Sequence, residues 1–160
     1  MDKFLHPTHW RDSLGFELLN HESLMTPVLV KAFGQLRAVQ IAHDQTPTDY
    51  HRTSQIIQSD SKRLVLDATL TISKASLSIA AIDALMTTEI LFGQLLLEHD
   101  IKVELVGMTI FRRSDDRFGR RTDMFILGTT ARLAQVEETL VSDSELVEMI
   151  SDSSATYGNS

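Results

Sequence analysis

Cysteine is wholly absent from this sequence, which removes disulfide frameworks, thiolate nucleophiles and zinc–cysteine centres from consideration. Glycine is sparse, 7 in 160 residues, and none falls in a G-x-S-x-G elbow, a P-loop or a dinucleotide-binding motif. Basic residues are outnumbered, 15 Lys and Arg against 22 Asp and Glu. The resulting net charge of -7 argues against sequence-blind binding to DNA or RNA, which needs cations to neutralise phosphates. No apolar run approaches a membrane span. The opening MDKFLHPTHWRD has no apolar core of the kind a signal peptide carries, so a cytoplasmic protein is expected.

What is present is 42% hydrophobic and 23% charged residues, enough for one compact domain with a real core. The expected domain covers residues 1–150, followed by a mobile polar tail over 151–160, SDSSATYGNS.

A first helix is expected around Leu14 to Leu19. A second is better marked, because Met25, Val28, Leu29, Ala32 and Phe33 recur at helical spacing. Thr26 is its expected N-cap, Pro27 its first helical residue and Gly34 its left-handed terminator. Extended runs are expected over 36–41 and 51–58, separated by Thr46-Pro47-Thr48-Asp49, and a turn over 59–62 follows. Leu64, Leu66, Ala68, Leu70 and Ile72 then alternate with Val65, Asp67, Thr69 and Thr71, the period-two pattern of a strand with one buried face. Residues 76–85 read as helix. Thr88 is the expected cap of another, EILFGQLLLEHD, whose apolar residues surround the axis and predict burial. Three more extended runs, 102–111, 120–127 and 133–141, close the domain, the last two joined by Gly128-Thr129-Thr130-Ala131. Short strand connections favour an α+β domain: an antiparallel β-sheet of about six strands with helices packed on one face.

Few residues announce chemistry. The 6 histidines lack metal spacing, and Pro7 keeps His6 and His9 off a common helical face. Arg112, Arg113, Arg117, Arg120 and Arg121 gather near Asp115 and Asp116; a solvated, self-paired hairpin is expected there, since the remainder is acidic and no aromatic platform accompanies them. Glu137 and Glu138 lie in the apolar final strand, where neighbours face opposite ways, so one should point inward. A carboxyl facing a dry pocket has a raised pKa and suits proton transfer or a bond to a hydroxyl. Two glutamates on a frayed edge strand account for the segment equally well. Arg52, opening a strand, offers a fork to a carboxylate if it faces inward. Helix starts after Met25 and around 88–92 offer free backbone N–H groups to an anion.

In this order the stretches SLMTPVL, YHRTSQIIQSDSKRLVLDATLTI, TEILFGQLL, RFGRRTDMFIL and AQVEETLV resemble those of the chorismate pyruvate-lyase (4-hydroxybenzoate synthase) family. They match its Ser-Met-Thr helix start, its arginine-led hairpin, its leucine-glycine helix start around Phe92 and Gly93, its Trp-Gly-Arg-Arg hairpin and its acidic final strand. The resemblance implies a chorismate lyase-like fold and elimination of pyruvate from chorismate to give 4-hydroxybenzoate or a close isomer, in a pocket beneath helical flaps. It implies that Arg52 and the amides of Met25 and Phe92 grip the ring carboxylate while Glu138 meets the ring oxygen. It implies no metal or cofactor, no nucleic-acid or membrane partner, a small-molecule substrate with an aromatic acid product, and a monomer. Glu137 is the alternative to Glu138; the latter is preferred because Leu140 and Val141 then match the family's apolar positions. A further family arginine is matched here by Ala68, which points equally to altered substrate or release, and to a binding or sensing domain without turnover.

Overall fold

A computed structural model describes residues 8–113 and 115–158 of the chain. Expectations placed on residues 1–7, including His6, on Ser114 and on 159–160 lie outside the described residues. The strands are β1 Leu36–Gln45, β2 Asp49–Gln58, β3 Leu64–Ser73, β4 Val103–Arg112, β5 Phe118–Ile126 and β6 Arg132–Leu140. The helices are α1 Leu14–Leu19, α2 Met25–Phe33, α3 Ile79–Thr87, α4 Phe92–Glu98 and α5 Asp143–Gly158. All strand pairs are antiparallel, in the spatial order β1-β2-β3-β6-β5-β4. The expected α+β class, with a six-stranded antiparallel sheet, is what the chain adopts.

Local chemistry sets the turns. Thr46 accepts the Asp49 N–H on its hydroxyl at 3.0 Å, closing the β1–β2 connection, and Gly128, at φ 77°, supplies the positive φ between β5 and β6. The long route through α3 and α4 carries the chain from β3 to the far edge. β6 then returns to the vacant place beside β3, so the two meet at the centre of the sheet.

One face of the sheet is covered. Along β2, Tyr50, Arg52, Ser54 and Ile56 are buried while His51, Thr53 and Gln55 alternate with them on the more open side. Over that face lie two apolar clusters. In one, Phe16, Leu29, Phe33 and Leu146 from α1, α2 and α5 pack with Leu66 and Leu140. In the other, Leu85, Leu95 and Leu96 from α3 and α4 pack with Leu70 and Ile72.

Helix boundaries differ from expectation in instructive ways. α2 begins at Met25 with Leu24 as a cap that has no side-chain bond, so Thr26 lies inside the first turn rather than before it. Gly34 does end α2 with a positive φ of 81°, but its ψ of -161° is extended, because the chain must enter β1 directly. Thr88 terminates α3 instead of starting the next helix: its hydroxyl donates to the Ala84 carbonyl at 2.6 Å. α4 is accordingly short, and Leu97 remains 66% exposed where complete burial is expected.

α5 is absent from the sequence-based expectations, and its helix runs on past Ser151 into the segment expected as a tail. Asp143 anchors its start, accepting the N–H groups of Leu14 and Gly15 at 3.1 and 3.0 Å and the Ser13 hydroxyl at 2.7 Å. It thereby serves the N-terminus of α1 as a capping carboxylate. Leu146 and Met149, fully buried, fix the helix on the core. Leu146→Ala is expected to lower the unfolding free energy by about 2–5 kcal/mol in urea denaturation; a loss under about 0.5 kcal/mol, the scale of a surface change, would contradict the docking of α5.

Candidate functional site

Strand register brings the chemistry together. Ser54, Ala68, Glu138 and Arg120 pair in succession across β2, β3, β6 and β5. The adjacent row runs Arg52, Leu70, Val136 and Thr122. Cross-strand partners share a face, so both rows look toward the helices. Two strands and two residues separate Arg52 from Glu138, roughly 12 Å between backbones from the usual strand spacings.

Between these rows and the helices lies a small cavity, part of it open to solvent. It forms at the seam of the two apolar clusters, with Met25, Leu29 and Leu91 from one and Leu70, Met124 and Val136 from the other. Arg52 and Ser54 enter it from β2, and Glu138 enters from β6. Met25, Phe92, Gly93 and Ala68 also line it. The residues singled out from the sequence thus converge on one cavity, except Glu137. Its carboxylate points to the opposite face and pairs with Arg121 at 2.9 Å, so the alternation of β6 leaves Glu138 as the inward acid.

Arg52 is only 4% exposed. One of its terminal nitrogens donates to the Leu85 carbonyl at 3.2 Å, near the end of α3 where a cation is favoured. Among the described residues its Nε has no hydrogen-bond partner, nor has the Oγ of Ser54, which is 1% exposed. No carboxylate among the described residues pairs with Arg52, and burial draws its pKa below the ordinary arginine value, with Tyr50 opposing. Unpartnered buried polar groups carry a desolvation cost of about 1–3 kcal/mol, which an anion entering the cavity would offset.

Glu138 stands in the reverse situation. Its carboxyl forms no hydrogen bond with the described residues, and it lines the cavity. Burial pushes its carboxyl up to about 7, against the pull of Arg120 on the neighbouring strand. Near neutrality the group can therefore give or take a proton.

The helix starts approach the same space. Neither Leu24 nor Leu91 caps its helix with a side chain, and the two first turns nearly touch: a Cβ on Gly93 would meet the Cβ of Thr26 at 2.9 Å. Only a glycine permits this approach.

Ser54 is a cavity residue the sequence reading missed, although its place two residues beyond Arg52 puts both on one face. Arg120 corrects a second expectation. The arginine segment is, as expected, a largely exposed hairpin in which Arg112 pairs with Asp116, but Arg117 reaches outside it to Asp67 at 2.7 Å, Arg121 reaches Glu137, and Arg120 is the exception to its exposure. Arg120 is 1% exposed and points inward. Three or more clustered metal-ligating side chains do not occur among the described residues, and no helix of those residues is long and apolar enough to cross a membrane.

No family model matches the chain, and no curated protein matches it by sequence.

Because the carboxyl of Glu138 is harder to ionise in the fold than in the unfolded chain, its contribution to stability is present below its ordinary pKa of 4.5 and is lost as pH rises to about 7. Glu138→Gln is expected to remove that component. Chemical denaturation of both proteins at pH 4.5 to 8 checks this, and parallel pH profiles would contradict it.

Proposed function

We propose that the cavity binds an aromatic acid and that the protein is a cofactor-free lyase which releases pyruvate from chorismate to give 4-hydroxybenzoate or a close isomer. The observation that carries this reading is the polarity of an otherwise apolar cavity. A buried guanidinium and hydroxyl with unused hydrogen-bonding capacity stand at one end, and a carboxyl poised near neutrality stands at the other. Arg52, with the amides of Met25 and Phe92, receives the ring carboxylate. Glu138 receives the oxygen substituent at the far end of the ring.

The reaction suits such a site. Breaking the ether bond to the enolpyruvyl group and moving the ring hydrogen to the departing fragment yields an aromatic ring and pyruvate, with no water or redox partner. Orientation and fixed charge can supply much of the acceleration. In this reading Glu138 polarises the ring oxygen or handles the proton. A cytoplasmic, monomeric enzyme acting on a small molecule, without nucleic-acid or membrane partners, completes the proposal; the net charge of -7 supports it.

Ala68 favours a second reading. It sits between Ser54 and Glu138 in their cross-strand row, and a small apolar side chain there offers no cation to a second carboxylate. A domain that binds or senses a monocarboxylic aromatic acid without turning it over needs only Arg52 and Glu138.

Incubation with chorismate, following pyruvate and the aromatic product together, separates the readings. Pyruvate formation above the spontaneous rate is expected; none, alongside saturable binding of 4-hydroxybenzoate, would leave the second reading. Arg52→Ala is expected to lose at least about tenfold in activity or affinity, since a charge-assisted contact contributes about 1.5–3 kcal/mol. Glu138→Gln is expected to impair the site and Glu137→Gln to leave it near wild type. Equal effects of the two would remove Glu138 from its proposed role.

A further inference from the structure

Arg120 is among the largest fully buried side chains of the protein, and the lyase reading gives it no task. Its surroundings are unusual for a guanidinium. One terminal nitrogen donates to the His21 carbonyl at 3.0 Å and lies 3.3 Å from the Met25 sulfur; the other donates to the Ser23 carbonyl at 2.7 Å. Its Nε donates to the Thr122 hydroxyl at 3.1 Å. These acceptors are neutral, so the positive charge is held under the α1–α2 connection without an ion pair at contact distance. Glu138 stands beside it on the next strand, in direct cross-strand register. Gly119 contributes to the placement, since a Cβ there would collide with the Phe111 ring and meet the Glu138 carbonyl at 3.0 Å.

We propose that Arg120 is a positioning residue for the cavity: its fork suspends the connection that leads into Met25, while its charge faces the carboxyl of Glu138 across the β5–β6 ladder. A single side chain thereby sets the start of α2, at one wall of the site, and the electrostatic setting of the acid that lines it. This role rests on the aromatic-acid reading for its consequence in binding, though not for its effect on Glu138. The charged and titratable groups turned toward Glu138 are Arg120 from β5, Arg52 across the cavity from β2, and His21 behind Arg120. Burial first, and Arg120 second, hold the pKa of His21 below its ordinary value, so His21 is neutral at pH 7. Arg120 is therefore the cation acting on the acid.

Two variants separate the fork from the charge. Arg120→Lys keeps a cation but cannot hold two carbonyls in a planar fork; Arg120→Met removes the charge at similar length. The Glu138 side-chain carboxyl is followed by carbon-13 NMR through a pH titration of the whole chain, and affinity for 4-hydroxybenzoate is measured by calorimetry in the same buffers. In Arg120→Met the Glu138 titration is expected to move upward by roughly one pH unit or more, the scale of losing an opposite charge on a neighbouring residue. In Arg120→Lys the titration is expected to stay near wild type while 4-hydroxybenzoate affinity falls at least about fivefold, because the anchored connection is released. Arg121→Gln, on the opposite face, is the control and is expected to match wild type in both. An unmoved titration in folded Arg120→Met, or unchanged affinity in Arg120→Lys, would overturn the proposal; if Arg120→Met does not fold, the lysine variant decides alone. Failure of the wild type to bind 4-hydroxybenzoate would instead count against the aromatic-acid reading, and the titration would still test the influence of Arg120 on Glu138.

Discussion

Among the described residues, the guanidinium of Arg52 lies beneath the helices with one hydrogen bond, to a carbonyl near the end of α3, and with no carboxylate to answer its charge. A charge in that position must be balanced, and most of the site can be understood as what surrounds the imbalance. Arg120 adds a second buried cation on the same face of the sheet. Against these two stands the one acid among the described residues that line the cavity, Glu138, whose pKa burial raises to about 7. The interior around the cavity is therefore short of negative charge even though the whole chain carries -7. An organic anion would supply what is missing, and the apolar walls suit the ring of the proposed aromatic acid.

The sheet makes this arrangement possible at modest cost. Because β6 inserts between β3 and β5, residues from four strands align in rows, and a row needs only register to bring Ser54, Ala68, Glu138 and Arg120 side by side. Two apolar clusters carry the packing on either side, leaving their seam free for a cavity. The short distance between α2 and α4, secured by Gly93 against Thr26, brings backbone amides to the same place.

Much of the sheet is legible in the sequence because strand alternation is a local signal: β3 reads directly, and the inward placing of Arg52 follows once β2 is recognised. Helix ends are less legible. Thr26 and Thr88 have the composition of N-caps, yet one lies within its helix and the other ends the preceding one, since packing of α2 against α4 overrides local preference. α5 escapes detection because its buried residues, Leu146 and Met149, are few and embedded among polar ones; tertiary contacts and the Asp143 bonds to α1 make the helix worthwhile. Arg120 is the least legible of all. In a run crowded with charge, periodicity cannot distinguish an arginine that pairs at the surface from one whose acceptors are carbonyls about a hundred residues earlier.

The central claim is that Arg52 and Glu138 are opposite ends of one anion-binding cavity. Its most direct test is an NMR titration of the isotope-labelled protein with 4-hydroxybenzoate. The account predicts saturable shifts at the Arg52 Nε–H, at the Met25 and Phe92 amides and at the Glu138 carboxyl, all with one affinity, while Arg121 and Glu137 on the far face stay unmoved. Shifts confined to the far face, or none at the Arg52 Nε–H at saturating ligand, would contradict it.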